Sequence, residues 1–316
     1  MKPKKEEFTM AKKPTSGPGF QTPCKKIDVH VHLAKPGAPG GSFSAEERIE
    51  FDKFMGIEKC VILPVNPGKV PSPVFPETML SMMLSSEDAC AIANKYPDHY
   101  VWFCNVHPEK DPAVYEKLKR YKEMGAKGVG EMVSVKWFDD PDFDYFMSCC
   151  EELDLPILFH MCPAGMQNYG VLDEAGLPQL ERALQRHPNL KLIGHSQPFW
   201  FEISEYPADL TAEERNIYPK GKVIPGRLPY LLEKYPNLYA DLSADSGGNA
   251  LLRDEEYAIE FLNKFQDKLM YGSDIVNGNL VYPLGFYLDS LLHQDKISDE
   301  VYIKVCRGNA EKLLGI

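Results

Sequence analysis

Apolar and polar positions alternate along Lys26-Ile27-Asp28-Val29-His30-Val31-His32-Leu33, and a period of two predicts a strand whose side chains two apart leave the same face. Short runs of similar character recur down the chain. They are Cys60 to Val65, Tyr100 to Val106, Ala126 to Met132, Pro156 to His160, Leu190 to His195, Leu238 to Leu242 and Lys268 to Asp274, which with Ile27 to Leu33 makes eight. Most are followed by a longer segment of helical period. Asp111 and Pro112 open one of these with an N-cap and a first-turn proline. Lys95-Tyr96-Pro97, Arg186-His187-Pro188 and Lys234-Tyr235-Pro236 each stop a helix with proline and lead into a strand. Strand and helix in alternation argue for a parallel sheet. Eight units fit an α/β fold of the (β/α)8 TIM-barrel type, which needs around 250 residues and places its site at the C-terminal strand ends. An open doubly wound sheet is the alternative, but its nucleotide-binding forms need a glycine-rich first turn, where this chain carries His30 and His32.

Residues 1–22 hold lysine, proline and glycine with little apolar periodicity, so they are expected to form a flexible tail ahead of one barrel domain over 23–316. The longest connection, 196–226, includes Phe199, Trp200, Phe201, Tyr206 and Tyr218 and is expected to make a small excursion over the barrel mouth. The Pro/Gly-rich stretches Ala34 to Ser42 and Pro64 to Pro76 are placed to close over a substrate.

Composition narrows the partners. With 316 residues, 44% hydrophobic and 26% charged, the chain has the balance of a soluble globular protein. Its 46 acidic against 35 basic residues give a formal charge of −11, and beyond the N-terminal lysines there is no long basic cluster. Nucleic acid and anionic membranes are therefore poor partners. No stretch approaches the roughly 18 apolar residues of a membrane span, and the polar N-terminus lacks the core of a secretory signal, so a cytoplasmic protein is expected. The eight cysteines lack Cys-x-x-Cys spacing and read as reduced, mostly buried thiols.

Chemistry concentrates at the strand ends. His30, His32, His160, His195 and Asp274 sit at or just past predicted strands, and four of the chain's eight histidines are in these positions. Imidazole and carboxylate are ligands for zinc and neighbouring divalent ions, and three protein ligands with an open position is the usual catalytic arrangement. Glu131 lies near the end of the fourth run and adds a carboxylate. Any one strand-end histidine is more often a satisfied hydrogen-bonding residue; the set together is better explained by a metal. Asp28 is read as support for packing and Asp241 or Asp245 as support for a ligand histidine. Trp137, Tyr169, Phe199 and Trp200 are candidates to line the mouth or pack a lid, and Arg227 to bind a carboxylate or cap a solvated helix.

With His30-Val31-His32 after the first strand, His160 after the fifth, His195 after the sixth and Asp274 after the eighth, the chain resembles the amidohydrolase superfamily. Gly194-His195-Ser196, Tyr271-Gly272-Ser273-Asp274 and Gly308-Asn309-Ala310-Glu311-Lys312-Leu313-Leu314 look like the branch called amidohydrolase family 2. The resemblance covers roughly residues 25–316 and implies metal-dependent hydrolases, lactonases or decarboxylases related to aminocarboxymuconate semialdehyde decarboxylase. It implies that His30, His32, His160 and Asp274 hold one metal, with His195 near substrate or on a second ion. Glu131 stands where binuclear members carry a bridging carboxylate; bridging two ions and hydrogen-bonding substrate or His160 both stay open.

The expected function is hydrolysis of a small lactone, amide or ester by metal-activated water, with Zn2+ the favoured ion and one or two ions bound. Such an ion lowers the pKa of water from about 16 to roughly 7 and polarises a carbonyl. Asp274 and His195 are the expected catalytic residues: Asp274 accepts the water's proton, and His195 stabilises the oxyanion or holds the second ion. The alternative on the same scaffold is a non-oxidative decarboxylase. A barrel that binds without turnover would have lost a ligand, and none is missing. The resemblance is compatible with a homo-oligomer, but no sequence feature specifies an interface.

Overall fold

All eight apolar runs become strands in the computed structural model, which describes residues 21–35, 42–65, 81–166, 168–207 and 209–316. They are β1 (Lys26–Val31), β2 (Ile57–Ile62), β3 (Tyr100–Trp102), β4 (Val129–Met132), β5 (Ile157–Pro163), β7 (Leu192–His195), β8 (Leu238–Asp241) and β9 (Leu269–Met270). A strand the pattern did not predict, β6 (Val171–Asp173), pairs in parallel with Met161 to Pro163 at the far end of β5. Among the described residues these strands pair only in parallel. Strands β1-β2-β3 form one sheet and β4-β5-β7-β8-β9 the other. Backbone bonds join the two into a (β/α)8 barrel. Cys104 N–H donates to Gly128 O and Gly130 N–H to Cys104 O, both at 2.9 Å, between β3 and β4. Val29 N–H donates to Tyr271 O at 3.1 Å and Asp274 N–H to His30 O at 2.9 Å, between β9 and β1.

Two strands depart from regular pairing, and both carry site residues. In β1, Asp28 pairs with Cys60 but Val31 with Ile62, so three steps on one strand oppose two on the other. In β4, Val129 pairs with Ile157 but Met132 with Phe159, the same excess of one. Such a bulge re-aims the side chains that follow it. Ile27 and Val29 lie inside the barrel with Leu158, Ile193 and Met270, whereas Val31 joins the layer between strands and helices. His30 and His32 nonetheless meet each other, as a period of two requires, while Asp28 is turned to the outer layer. There the buried Arg48 donates to Asp28 Oδ2 at 2.6 Å and to Asp52 Oδ1 at 2.7 Å. Asp28 Oδ1 also accepts from Ser273 N–H at 2.8 Å, tying β1 to the turn that carries Asp274. This confirms its supporting role.

Local signals produce the helices as predicted. Asp111 caps Pro112–Glu123 by accepting from Ala113 N–H. Helices end at Lys95, Arg186 and Lys234, before the three prolines. The helix Asn309–Leu314 sends Ala310 and Leu314 into the barrel's inner cluster. All eight cysteines are free thiols, and all but Cys24 are buried. Residues 1–20 of the expected tail lie outside the described residues. Gln21 N–H already bonds His293 Nε2 at 3.1 Å, and Thr22 is buried. The two stretches expected to close over a substrate fall largely outside as well, at 36–41 and 66–76. No helix among the described residues is long and apolar enough to cross a membrane.

Candidate metal centre

The barrel brings all six sequence-predicted site residues together. His30 comes from β1, His32 from just beyond it, Glu131 from β4, His160 from β5, His195 from the end of β7 and Asp274 from the turn after β9. His160 and His195 are register partners on adjacent strands. Asp274 adopts a left-handed backbone with φ 55°, an uncommon conformation for a non-glycine residue that its bond to His30 O helps to hold. Gly272 is needed for close approach, since a Cβ there would lie 2.5 Å from Asp241 Oδ1 and 2.9 Å from Ser243 Cβ.

Hydrogen bonds behind the site decide which ring nitrogen faces it. His32 Nδ1 lies 2.8 Å from Leu63 O, which only accepts, so Nδ1 carries the proton and Nε2 presents a lone pair inward. His30 Nδ1 donates to Asp241 Oδ2 at 2.6 Å. Ser243 Oγ donates to the same oxygen at 2.7 Å and so accepts from His195 Nδ1 at 2.9 Å. Asp241, expected as support for one ligand histidine, therefore orients two. Ser243 was not foreseen, and its only sequence signal is its place two residues after a strand-end carboxylate. His160 differs, presenting Nδ1 to Glu131 Oε1 at 2.9 Å.

The inward atoms lie at ligand spacing. Ligands about 2.0–2.1 Å from one ion are separated by roughly 3–3.5 Å. His30 Nε2 and His32 Nε2 are 3.0 Å apart, and each is 3.6 Å from Asp274 Oδ1. Two lone pairs facing each other at that distance repel unless a cation or proton lies between them. Glu131 Oε2 is 3.3 Å from His32 Nε2, whereas Oε1 faces His160 and lies 3.9 Å from His195 Nε2. Asp274 divides likewise, with Oδ2 3.7 Å from His195 Nε2. These six residues form three candidate triads: His30, His32 and Glu131; His30, His195 and Asp274; and Glu131, His160 and His195.

Electrostatics fit a cation. Burial raises the Asp241 carboxyl, but the His30 and His195 imidazoles outweigh it and hold the group below the usual carboxylate range. Burial also opposes a charged Glu131, yet the His160 hydrogen bond and the neighbouring His32 and His30 imidazoles keep it well below its ordinary value. Desolvation lowers His30, but the charges of Asp274 and Asp241 overcome that and push it up to about 10. Positive charge is thus favoured between these carboxylates, whether brought by protons or by a metal.

The aromatic candidates separate. Tyr169 lies tilted against His160 with ring centroids 4.4 Å apart and is part of the site wall. Phe199 and Trp200 do not line the mouth. The short helix Gln197–Phe201 turns them into the core, where Phe199 packs on Phe159 and Trp200 Nε1 donates to Asp241 O at 2.9 Å. Trp137 is half-buried and pairs with Leu172. Arg227 is taken by Glu181 and by Gly176 O. His99 and His187 lie outside the centre and bond Asp52 and Asp144 respectively.

A parallel barrel with imidazoles and carboxylates converging at the C-terminal ends of its strands defines a metal-dependent enzyme. The chain belongs to the amidohydrolase family, whose Amidohydro_2 model matches residues 27–316. No curated protein matches it. Similar solved structures include the 2,6-dihydroxybenzoate decarboxylase from Rhizobium, with 16% identity, a TM-score of 0.57, and 92% of this chain and 99% of that chain covered. A probable 2-pyrone-4,6-dicarboxylic acid hydrolase from Acinetobacter baumannii, with citric acid bound, has 16% identity and a TM-score of 0.56 over 92% of this chain and 100% of that one. The 5-carboxyvanillate decarboxylase from Novosphingobium aromaticivorans, complexed with manganese and 4-hydroxy-3-methoxy-5-nitrobenzoic acid, has 18% identity and a TM-score of 0.52 over 85% and 79%. At these identities the likeness establishes the fold.

Proposed function

We propose that this chain is a binuclear metal-dependent hydrolase of a small lactone, amide or ester. The observation that carries the reading is the divided Glu131 carboxylate, with Oε2 toward the His30 and His32 pair and Oε1 toward His160 and His195. In this reading Glu131 would be shared between two ions, with His30, His32 and Asp274 holding one and His160 and His195 holding the other. Bound divalent cations would supply a lowered water pKa and a polarised carbonyl. The imidazole-rich donor set suits Zn2+, while Mn2+ shares these ligands and is the ion in the 5-carboxyvanillate decarboxylase structure. Eight free thiols suit a reducing, cytoplasmic setting.

Asp274 is the group placed to move the proton. Its side chain is 23% exposed, the most open of the cluster, with Oδ1 and Oδ2 facing different histidines. It takes the proton of the attacking water and returns it to the leaving alcohol or amine. His195, locked through Ser243 and Asp241, directs Nε2 at the site and stabilises charge developing on the carbonyl oxygen. Tyr169 limits access above His160.

Elemental analysis of the purified, unchelated protein tests the metal count. About two ions per chain, falling to about one in Glu131→Gln, supports the bridged site. About one ion, indifferent to that substitution, defeats it. Product analysis then separates reaction classes. A free acid with an alcohol or amine supports hydrolysis, and carbon dioxide from an aromatic acid moves the chain to the decarboxylase reading that two of the similar structures represent.

A further inference from the structure

A cleft of about 400 Å³ opens outside the metal centre, in the range of small-molecule sites. It lies beside the connection after β7, and its lining shares no residue with the six of the centre. Phe201 and Tyr206 stack on one side with centroids 4.0 Å apart. Tyr230, with the Arg227 guanidinium 4.5 Å from its ring centroid, borders it and is 45% exposed. The wall is built from close backbone contacts, since Ser204 pairs with Pro225 and a Cβ on Gly226 would lie 2.3 Å from Ser204 O.

Arg215 is the unexplained group in this cleft. It is only 4% exposed, its buried Nε has no hydrogen-bond partner among the described residues, and its Nη2 forms a long ion pair with Glu202 Oε1 at 3.5 Å. That oxygen already accepts from Gly176 N–H at 2.9 Å, and among the described residues Glu202 Oε2 accepts from none. A buried guanidinium with so little compensation costs free energy that a bound carboxylate offsets through paired N–H donors. Beside it, the Glu202 carboxylate offers an acceptor for a positively charged donor. The aromatic side chains offer an apolar wall.

We propose that this cleft is a second binding site, for a small zwitterion of the chemistry of an apolar α-amino acid. The ligand's carboxylate meets Arg215, its ammonium meets Glu202, and its side chain lies against Phe201, Tyr206 and Tyr230. The inference stands apart from the hydrolase reading, because no group of the metal centre takes part.

Calorimetric titration of the full-length, metal-loaded protein tests it with three probes: L-phenylalanine, 3-phenylpropanoate, which lacks the ammonium, and phenethylamine, which lacks the carboxylate. L-phenylalanine is expected to bind, and each truncated probe to bind at least about tenfold more weakly. Arg215→Lys, which loses the planar fork, and Tyr230→Ser at the exposed rim should each weaken L-phenylalanine by about tenfold or more at unchanged metal content. Absence of heat at millimolar L-phenylalanine overturns the proposal, as does equal affinity for 3-phenylpropanoate. Binding that survives in both variants places the ligand elsewhere and overturns it too.

Discussion

Asp241 shows how much one residue behind a metal site can decide. Its Oδ2 accepts directly from His30 and, through Ser243, fixes His195, so a single buried carboxylate sets the tautomer of a histidine on each side of Glu131. Asp241→Asn replaces one acceptor oxygen with an amide donor, which opposes the Nδ1–H of His30. The histidine then turns or changes tautomer, and metal affinity is expected to fall by about 10- to 100-fold. Metal-buffer titration checks this. A variant that retains wild-type affinity shows that orientation comes from packing alone, and circular dichroism separates either result from unfolding. Histidine spacing, strand order and the Glu131 position made the inward-facing residues legible in the sequence. The groups behind them were only partly so. Asp241 stood out as a strand-end carboxylate, but Ser243 and the buried Arg48 are polar residues whose ordinary reading is solvation, and only tertiary contacts distinguish them.

At the scale of elements, periodicity identified strands well and chain position predicted exposure poorly. All eight barrel strands followed from apolar runs, because strands covered on both sides must be apolar and short. β6 escaped, since three residues that pair with the tip of β5 and, through Leu172, bridge Trp137 make no pattern of their own. The bulges in β1 and β4 also left no periodic trace, yet they decide that Asp28 turns outward while His30 and Glu131 turn inward. Phe199 and Trp200 follow a site histidine closely, which suggested the mouth as one place for them. The helix Gln197–Phe201 instead buries both, and Gly194 makes room, since a Cβ there would lie 2.2 Å from the Phe199 ring. Phe199→Ala is therefore expected to cost about 3–5 kcal/mol of stability, as a core truncation does. Denaturant unfolding measures it, and a loss below about 1 kcal/mol would return Phe199 to the mouth.

For the whole molecule, the centre couples metal binding to protons and to stability. In the metal-free protein, burial disfavours the His30 cation, but Asp274, Asp241 and Glu131 surround it and keep its pKa near 10. The sign follows from linkage. A base whose pKa is raised on folding stabilises the metal-free fold fully below its unfolded value of about 6.5, and that contribution is lost as pH rises through the folded value. A metal must displace this proton before it can use Nε2, so apparent metal affinity should rise between pH 7 and 8, by up to about tenfold for each proton displaced. Two measurements on chelator-stripped protein check the coupling. Zn2+ titrations in buffers of different ionisation enthalpy should show net proton release at pH 7, and the increase in Tm on adding Zn2+ should be larger at pH 8 than at pH 7 at equal free metal. Release of no protons, with a Tm increment indifferent to pH, would mean that His30 is already neutral in the metal-free protein. The three carboxylates would then have to be balanced by protons on the other histidines or by their own protonation, and the proposed order of charge within the barrel would fail.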